Sequence, residues 1–408
     1  VITVDQALAI VLERINPLGP EEVPLEEALG RILQQDVRAD IDLPPFDRAR
    51  MDGYALRAQD LATAPASLKL IGEIAAGASF EGVLSPGEAV KIFTGAPLPR
   101  GADSVQKVEV TSSNGKTVTI NEAVKPGQFV TARGSEAAIG DILARSGRAI
   151  GAAEMAVLAS FGYPKVTVGR QPRVAILSTG SELIPVEAKP AGAQIRNSNT
   201  YTIGSYARAA GARVEILGTI EDTAAATRDS LERAAEGRDL VITSGGVSMG
   251  DYDLVKGVLV EMGAEVFFDK VSIRPGKPTV FARRGSTFFF GLPGNPVSTS
   301  VTFNVFARPA LRKMQGSSSP MLPTVEAELV RGLTDSSSRQ SYLPARFRVV
   351  GGRAFAEPLK WGGSSDLVAF MEANALIVVD QEVHQIGEGE KVDLMILGEL
   401  LPAESTGS

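Results

Sequence analysis

The sequence predicts a multi-domain α/β plus β protein, and three observations lead there. Between Arg173 and Met314, apolar runs of strand length alternate with segments of helical period, the pattern of a mostly parallel sheet covered by helices. From Leu68 to Val130, and again from Thr324 to Leu400, short strand-like runs are broken by Gly, Pro and Asn. Segments of helical spacing flank the first β-rich stretch, which therefore reads as an insertion into a discontinuous helical framework.

Taken in order, Ala7, Leu8, Val11, Leu12 and Ile15 fall at helical spacing, and Pro24 to Leu33 is expected to form a second short helix. Pro44-Pro45 then forces an extended or turning backbone, and Gly53 permits a bend, so Asp47, Arg48 and Asp52 are expected on a constrained loop. In the insertion, Leu68–Ile74, Ala89–Phe93, Ser104–Val110 and Lys116–Ile120 are candidate strands of a small barrel or sandwich. Asn114-Gly115 is a hairpin signal there, and Thr94 stands beside a turn. Asp141 to Phe161 returns to helical spacing.

In the α/β stretch the expected strands are Val174–Leu177, Arg213–Thr219, Leu240–Thr243, Ala264–Phe268 and Phe288–Leu292. In such sheets ligands sit beyond the carboxyl ends of the strands. The polar motifs fall at those ends: Ser178-Thr179-Gly180-Ser181-Glu182 after the first strand, Glu221-Asp222-Thr223 after the second, Ser244 to Asp253 after the third, and Pro293-Gly294-Asn295-Pro296 after the last. In the third loop, Gly245 and Gly246 let the backbone approach a ligand, the Ser244 and Ser248 hydroxyls suit phosphate oxygens, and Asp251 and Asp253 suit Mg²⁺. Lys270, Arg274 and Lys277 form a basic cluster partly stiffened by Pro and Gly, fitting an anionic ligand held with a metal. The C-terminal β stretch adds Tyr342, Arg346, Ser364, Ser365 and Asp366.

Composition narrows the chemistry. The 408 residues are 44% hydrophobic and 22% charged, as in soluble globular proteins. No apolar run approaches the roughly 20 residues of a membrane span, and no basic, then apolar N-terminal leader is evident, so a cytoplasmic protein without a membrane partner is expected. With no cysteine and His384 as the single histidine, metal must be held through oxygen. A net charge of -7 argues against general nucleic-acid binding.

Taken together, PPFDRARMDGYA, IFTGAPLP, STGSEL, SGGVSMGDYD, IRPGKP and GLPGNPVSTS resemble the molybdopterin molybdenumtransferases, the family that includes the E domain of gephyrin. The resemblance implies a discontinuous helical linking domain at 1–43 and 134–170, an inserted β domain at 44–133, an α/β molybdopterin-binding domain at 171–316 and a C-terminal β-barrel at 317–408. It implies a homodimer with sites shared between subunits, in which Asp52 and Thr94 act on the partner's site. Adenylyltransferase and molybdoenzyme partners are also expected.

The implied reaction takes molybdate and adenylylated molybdopterin as substrates, with Mg²⁺, and releases AMP. Asp52, Glu182, Asp222 and Asp253 are the implied catalytic carboxylates, the last three also holding metal. Thr94, Ser178, Thr179, Gly180, Ser244, Gly245, Gly246, Ser248, Lys270, Arg274, Lys277, Pro293, Asn295 and Ser364 are the substrate-binding candidates. Three positions depart from the family pattern: Glu136 stands for an Asp, Arg274 for a common Lys, and Pro344 where some members carry an arginine, leaving Arg346 as its substitute. Two alternatives share part of this pattern, a molybdopterin adenylyltransferase and a gephyrin-like peptide-binding scaffold.

Overall fold

The computed structural model describes residues 1–246 and 254–398. The chain divides into two compact units: Val1–Gln34, Ser146–Gly151 and the chain from Lys165 onward form one, Gln35–Arg145 and Ala152–Pro164 the other.

The larger unit is built on a six-stranded sheet in the order Arg213–Ile220, Arg173–Thr179, Leu240–Ser244, Thr287–Leu292, Pro278–Arg284 and Glu265–Lys270. The first three neighbouring pairs are parallel and the last two antiparallel. Alternate side chains feed cores on opposite faces. Ile176 and Ile242 pack with Ile203 and Ala207 of the helix Asn199–Ala209. Ala175 and Val241 pack with Leu231 of Ala224–Ala235 and with Val258 of Leu254–Glu261. Burial on both faces is why Leu240–Ser244 is continuously apolar through Ile242.

Two elements differ from the sequence-based expectation. The strand Pro278–Arg284 is not evident from the residues, because Pro275-Gly276-Lys277-Pro278 reads as a continuing loop; a proline is nevertheless tolerated as the first residue of a strand. It forms a hairpin with Thr287–Leu292 and runs against both of its neighbours, so that the edge strand Glu265–Lys270 again points the same way as the first four strands. Pro24–Leu33 is not a helix. Pro20–Pro24 is a strand paired with Lys165–Gly169, only Leu25–Glu27 forms a 3₁₀ turn, and Gly30 adopts φ 78°. The first helix, Val4–Arg14, carries a Thr3/Gln6 capping box and buries Ala7 and Val11 in the core of the α/β sheet.

In the C-terminal part of the same unit, five strands close on themselves: Gln340–Val350, Arg353–Pro358, Thr324–Leu329, Lys391–Ile396 and Ala375–Val379, the last pairing back onto the first. Closure leaves the ring without an unpaired edge around Ala345, Phe347, Ile377 and Leu394. Gly351 and Gly352 turn its longest hairpin with φ of 56° and 78°, the two positive values such a turn requires. Ile273–Arg274 pairs in parallel with Gln340–Ser341, joining the α/β loop to the barrel by backbone hydrogen bonds.

The smaller unit has a six-stranded sheet in the order Ser104–Lys107, Gly53–Leu56, Glu88–Ile92, Ala66–Ile74, Thr117–Ile120 and Thr111–Ser113. Leu56, Leu68 and Val118 fill one core and Ile74, Ile92 and Val105 another. The Asn114-Gly115 hairpin is present, with Asn114 Oδ1 accepting from Thr117 N at 2.8 Å. Val37–Arg38 pairs with Ile142–Ala144, so helix occupies only Ala152–Ser160 of the expected Asp141–Phe161 run.

Phe281 is fully buried and touches Phe267, Phe268, Phe288 and Phe290, its centroid 4.7 Å from that of Phe290. Phe281→Ala is expected to destabilise the fold by about 3–5 kcal/mol, read by chemical denaturation.

Candidate functional site

A cavity of about 900 Å³ opens at the carboxyl ends of the parallel strands, within the larger unit. Its floor depends on glycine. Gly245 and Gly246 have φ of 88° and 65°, and a Cβ on them would lie 2.6 Å from the Thr179 carbonyl oxygen and 2.8 Å from Thr179 Oγ1. Any larger residue would push the third loop off the first strand's end. Gly180, at φ 146°, leaves room for the Glu182 carboxylate, whose oxygens would be 2.8 Å from an added Cβ.

The two acidic loops are coupled. Asp222 accepts a hydrogen bond from Ser181 N at 2.9 Å, and Thr223 caps the following helix by accepting from Ala226 N at 3.2 Å. Glu182 and Asp222 both line the cavity. On neighbouring loops without thiol or imidazole, they provide hard oxygen donors, the chemistry that suits Mg²⁺. Among the described residues no group of three or more His, Cys, Asp or Glu is placed to hold a metal. Ser248, Asp251 and Asp253 lie outside the described residues.

Asn199 ties the third and last loops together. Its Nδ2 donates to Ser244 Oγ and to the Gly294 carbonyl, each at 2.7 Å, while Ser244 Oγ donates to the Pro293 carbonyl at 3.2 Å. The last loop also reaches the barrel-side segment. Asn295 Nδ2 donates to Ser364 Oγ at 2.8 Å, and Val297 N donates to the Ser364 carbonyl at 3.0 Å. Behind Ser364, Asp366 accepts from Gly362 N and Ala369 N, and these bonds hold its carboxyl below the ordinary aspartate range. Pro293 and Ser364 both line the cavity, with Trp361.

Positive charge is supplied by Arg196, Arg274, Lys277 and Arg339, against Glu182 and Asp222 among the described lining residues. Arg339 Nη1 donates to the Ile273 carbonyl at 3.0 Å, and Arg196 Nε to the Ala188 carbonyl at 2.9 Å, which fixes both stems. An excess of cations in a chain of net charge -7 points to an anionic ligand.

Thr179, Gly180, Glu182, Asp222, Ser244, Gly245, Gly246, Arg274, Lys277, Pro293, Asn295 and Ser364 are thus brought to one cavity. Other expected residues are elsewhere. Ser178 is buried beneath the floor, donating to Asn197 Oδ1 at 3.3 Å. Lys270 stands outside the lining, next to Asp269, whose carboxyl is lowered mainly by Lys256. Arg346 pairs with Glu372 at 2.6 Å, and the C-terminal arginine in the cavity is instead Arg339. In the smaller unit, Glu136 pairs with Arg48 at 2.8 Å. Asp52 and Thr94 meet there: Asp52 Oδ1 accepts from Thr94 N at 2.8 Å and from Thr94 Oγ1 at 2.7 Å. Sequence reasoning passed over Arg196, Asn199, Arg339 and Trp361. The polar run Arg196-Asn197-Ser198-Asn199 at a helix start was the available signal for the first two.

Three family models match successive parts of the chain: the MoeA N-terminal region (domain I and II) over residues 2–162, the probable molybdopterin binding domain over 175–313, and the MoeA C-terminal region (domain IV) over 326–397. Proteins named molybdopterin molybdenumtransferase are similar over almost the whole length. That of Bacillus subtilis is 34% identical over 406 residues, covering 98% of this chain and 94% of its own. That of Nostoc is 36% identical over 383 residues, covering 91% and 87%. A molybdopterin biosynthesis moeA protein from Pyrococcus horikoshii has a similar structure, with TM-score 0.84 and 29% identity, covering 97% of this chain and 100% of that one.

Gly245→Ala is expected to reduce turnover by about 10²-fold, a misplacement effect, while the melting temperature stays within a few degrees. The bonds from Thr94, first from its N–H and then its hydroxyl, hold Asp52 below its ordinary value of 3.8. Their stabilising contribution is therefore present above the unfolded-state pKa and is lost as pH falls through the lower, folded-state one. An NMR titration should find the Asp52 carboxyl below 3.8 and raised toward it in Thr94→Val.

Proposed function

Since the chain belongs to the molybdopterin molybdenumtransferase family and is an enzyme of molybdenum cofactor biosynthesis, we infer that it inserts molybdate into adenylylated molybdopterin and releases AMP. The observation that carries this reading is the composition of the strand-end cavity: among the described residues, glycine turns, two carboxylates, four cations and an aromatic ring face one volume of about 900 Å³. That is enough room for an extended ligand with anionic and planar parts.

The Gly180, Gly245 and Gly246 turns let the substrate's phosphates approach the backbone, while Lys277, Arg274 and Arg339 balance the charge of phosphate and molybdate. Trp361 offers a flat apolar surface for a ring. The substrate brings its own dithiolene sulfurs, which agrees with a chain lacking cysteine. Glu182 and Asp222, with Asp253, would hold Mg²⁺, which when bound neutralises phosphate charge. As water adds across the pyrophosphate link, one P–O bond breaks and AMP leaves. The carboxylates orient that water and accept its proton, and the cations stabilise the charge that develops on the phosphate oxygens.

The reading extends to assembly. The chain acts as a homodimer in which Asp52 and Thr94, an anchored acid–hydroxyl pair, serve the site of a second copy.

The test is AMP release from adenylylated molybdopterin with Mg²⁺, with and without molybdate. Molybdate-dependent release with molybdenum in the pterin product is expected, and Asp222→Asn should lower kcat about 10²-fold without loss of fold. Formation of adenylylated pterin from ATP, or binding without turnover, would overturn the assignment. Mixing Asp52→Ala with Asp222→Ala subunits should restore about a quarter of the sites by random assortment across a two-fold interface. No recovery would remove the shared-site reading.

A further inference from the structure

Resting on the molybdate reading above, we propose that Asp335 is a positioning residue for oxyanion recognition, acting through Arg274. Arg274 lines the cavity with its side chain 38% exposed, and its Nη1 is ion-paired with the Asp335 carboxylate, which is only 2% exposed. A carboxylate this deeply buried requires compensation, and the other bond it receives in the structure is from Ser337 N at 3.0 Å. Arg274 is thus its charged partner among the described residues.

Asp335 is itself held firmly. Its N–H donates to the His384 carbonyl at 2.9 Å, and Leu333–Thr334 just before it pairs with Gln385–Ile386. On the other side, Arg274 sits in the two-residue strand paired with Gln340–Ser341, and Arg339 donates to the carbonyl of Ile273. Both ends of the guanidinium contact are therefore fixed by backbone pairing. From that anchored position Arg274 also lines the cavity.

The arrangement explains why arginine serves at 274. An ammonium is a point charge that needs no fixed plane, whereas a guanidinium is a planar fork that recognises an oxyanion only when its plane is set. Asp335 sets it by occupying part of the fork. The anion meets the rest.

The experiment titrates molybdate into the full-length chain by calorimetry and measures the molybdate KM for AMP release. Asp335→Ser leaves a hydroxyl for Ser337 N but cannot hold the guanidinium. It should weaken molybdate binding and raise its KM about tenfold, a charge-assisted hydrogen bond's worth of orientation, with a smaller change in kcat. Asp335→Asn keeps an acceptor for the fork and should recover most of that loss. In an Arg274→Gln background, Asp335→Ser should add nothing further, because contacting residues are coupled and not additive.

Losses that multiply in the double variant, or a lowered melting temperature with unchanged molybdate binding, would overturn the proposal and leave Asp335 a structural residue. Absence of molybdate binding and of molybdate-dependent release in the unaltered chain would remove the functional reading and this proposal together. Binding that is intact in Asp335→Ser removes the proposal alone.

Discussion

The closeness of the Gly245–Gly246 backbone to Thr179 is the constraint on which the rest of the cavity depends. Two strand ends approach until a single added carbon would overlap the neighbouring carbonyl. Only residues without a Cβ, and able to take positive φ, permit this. The approach sets the floor of the cavity, and from it follow the position of Ser244, its bond from Asn199 and the seat of the last loop. Burial of both sheet faces leaves the carboxyl edge as the place where polar loops gather, so chemistry and packing are divided between the edge and the faces.

Charge is arranged around that floor in two layers. Glu182 and Asp222 come from loops of the α/β sheet and are tied through Ser181. Arg196 precedes the helix Asn199–Ala209, and the other cations come from the segment after Glu265–Lys270 and from the approach to the barrel, with Arg274 and Arg339 cross-braced by Asp335 and the Ile273 carbonyl. Long, flexible side chains would otherwise lose rotamer freedom on meeting a ligand. Holding them beforehand moves that cost from binding to folding.

The barrel is therefore part of the site. Its closed ring gives a rigid base for Arg339, Asp335 and the turn that carries Ser364, and the parallel pairing of Ile273–Arg274 with Gln340–Ser341 joins it to the loop bearing the cations. In the smaller unit, the Asp52–Thr94 pair has the same character, an acid held ionised by two short donors on a constrained turn.

Much of this was legible in the residues. The order of strands and helices between Arg173 and Met314, the glycine turns at strand ends and the oxygen-only donor set follow from hydrophobic period, backbone freedom and composition, which act locally. The strand Pro278–Arg284 escaped because its proline and charged ends resemble a loop, and its place is decided by pairing with Thr287–Leu292. Ser178, Lys270 and Arg346 share the polarity of their neighbours, and which way each faces depends on partners distant in the chain. Arg339 and Asn199 came into the site for the same reason. By itself the sequence determined the alternation of strands and helices between Arg173 and Met314 apart from Pro278–Arg284, which turns need glycine and what chemistry the loops could offer. Only the tertiary structure decided which loops meet, because the contacts that fix them join residues far apart, as Arg274 to Asp335 across 61 positions and Asn295 to Ser364 across 69.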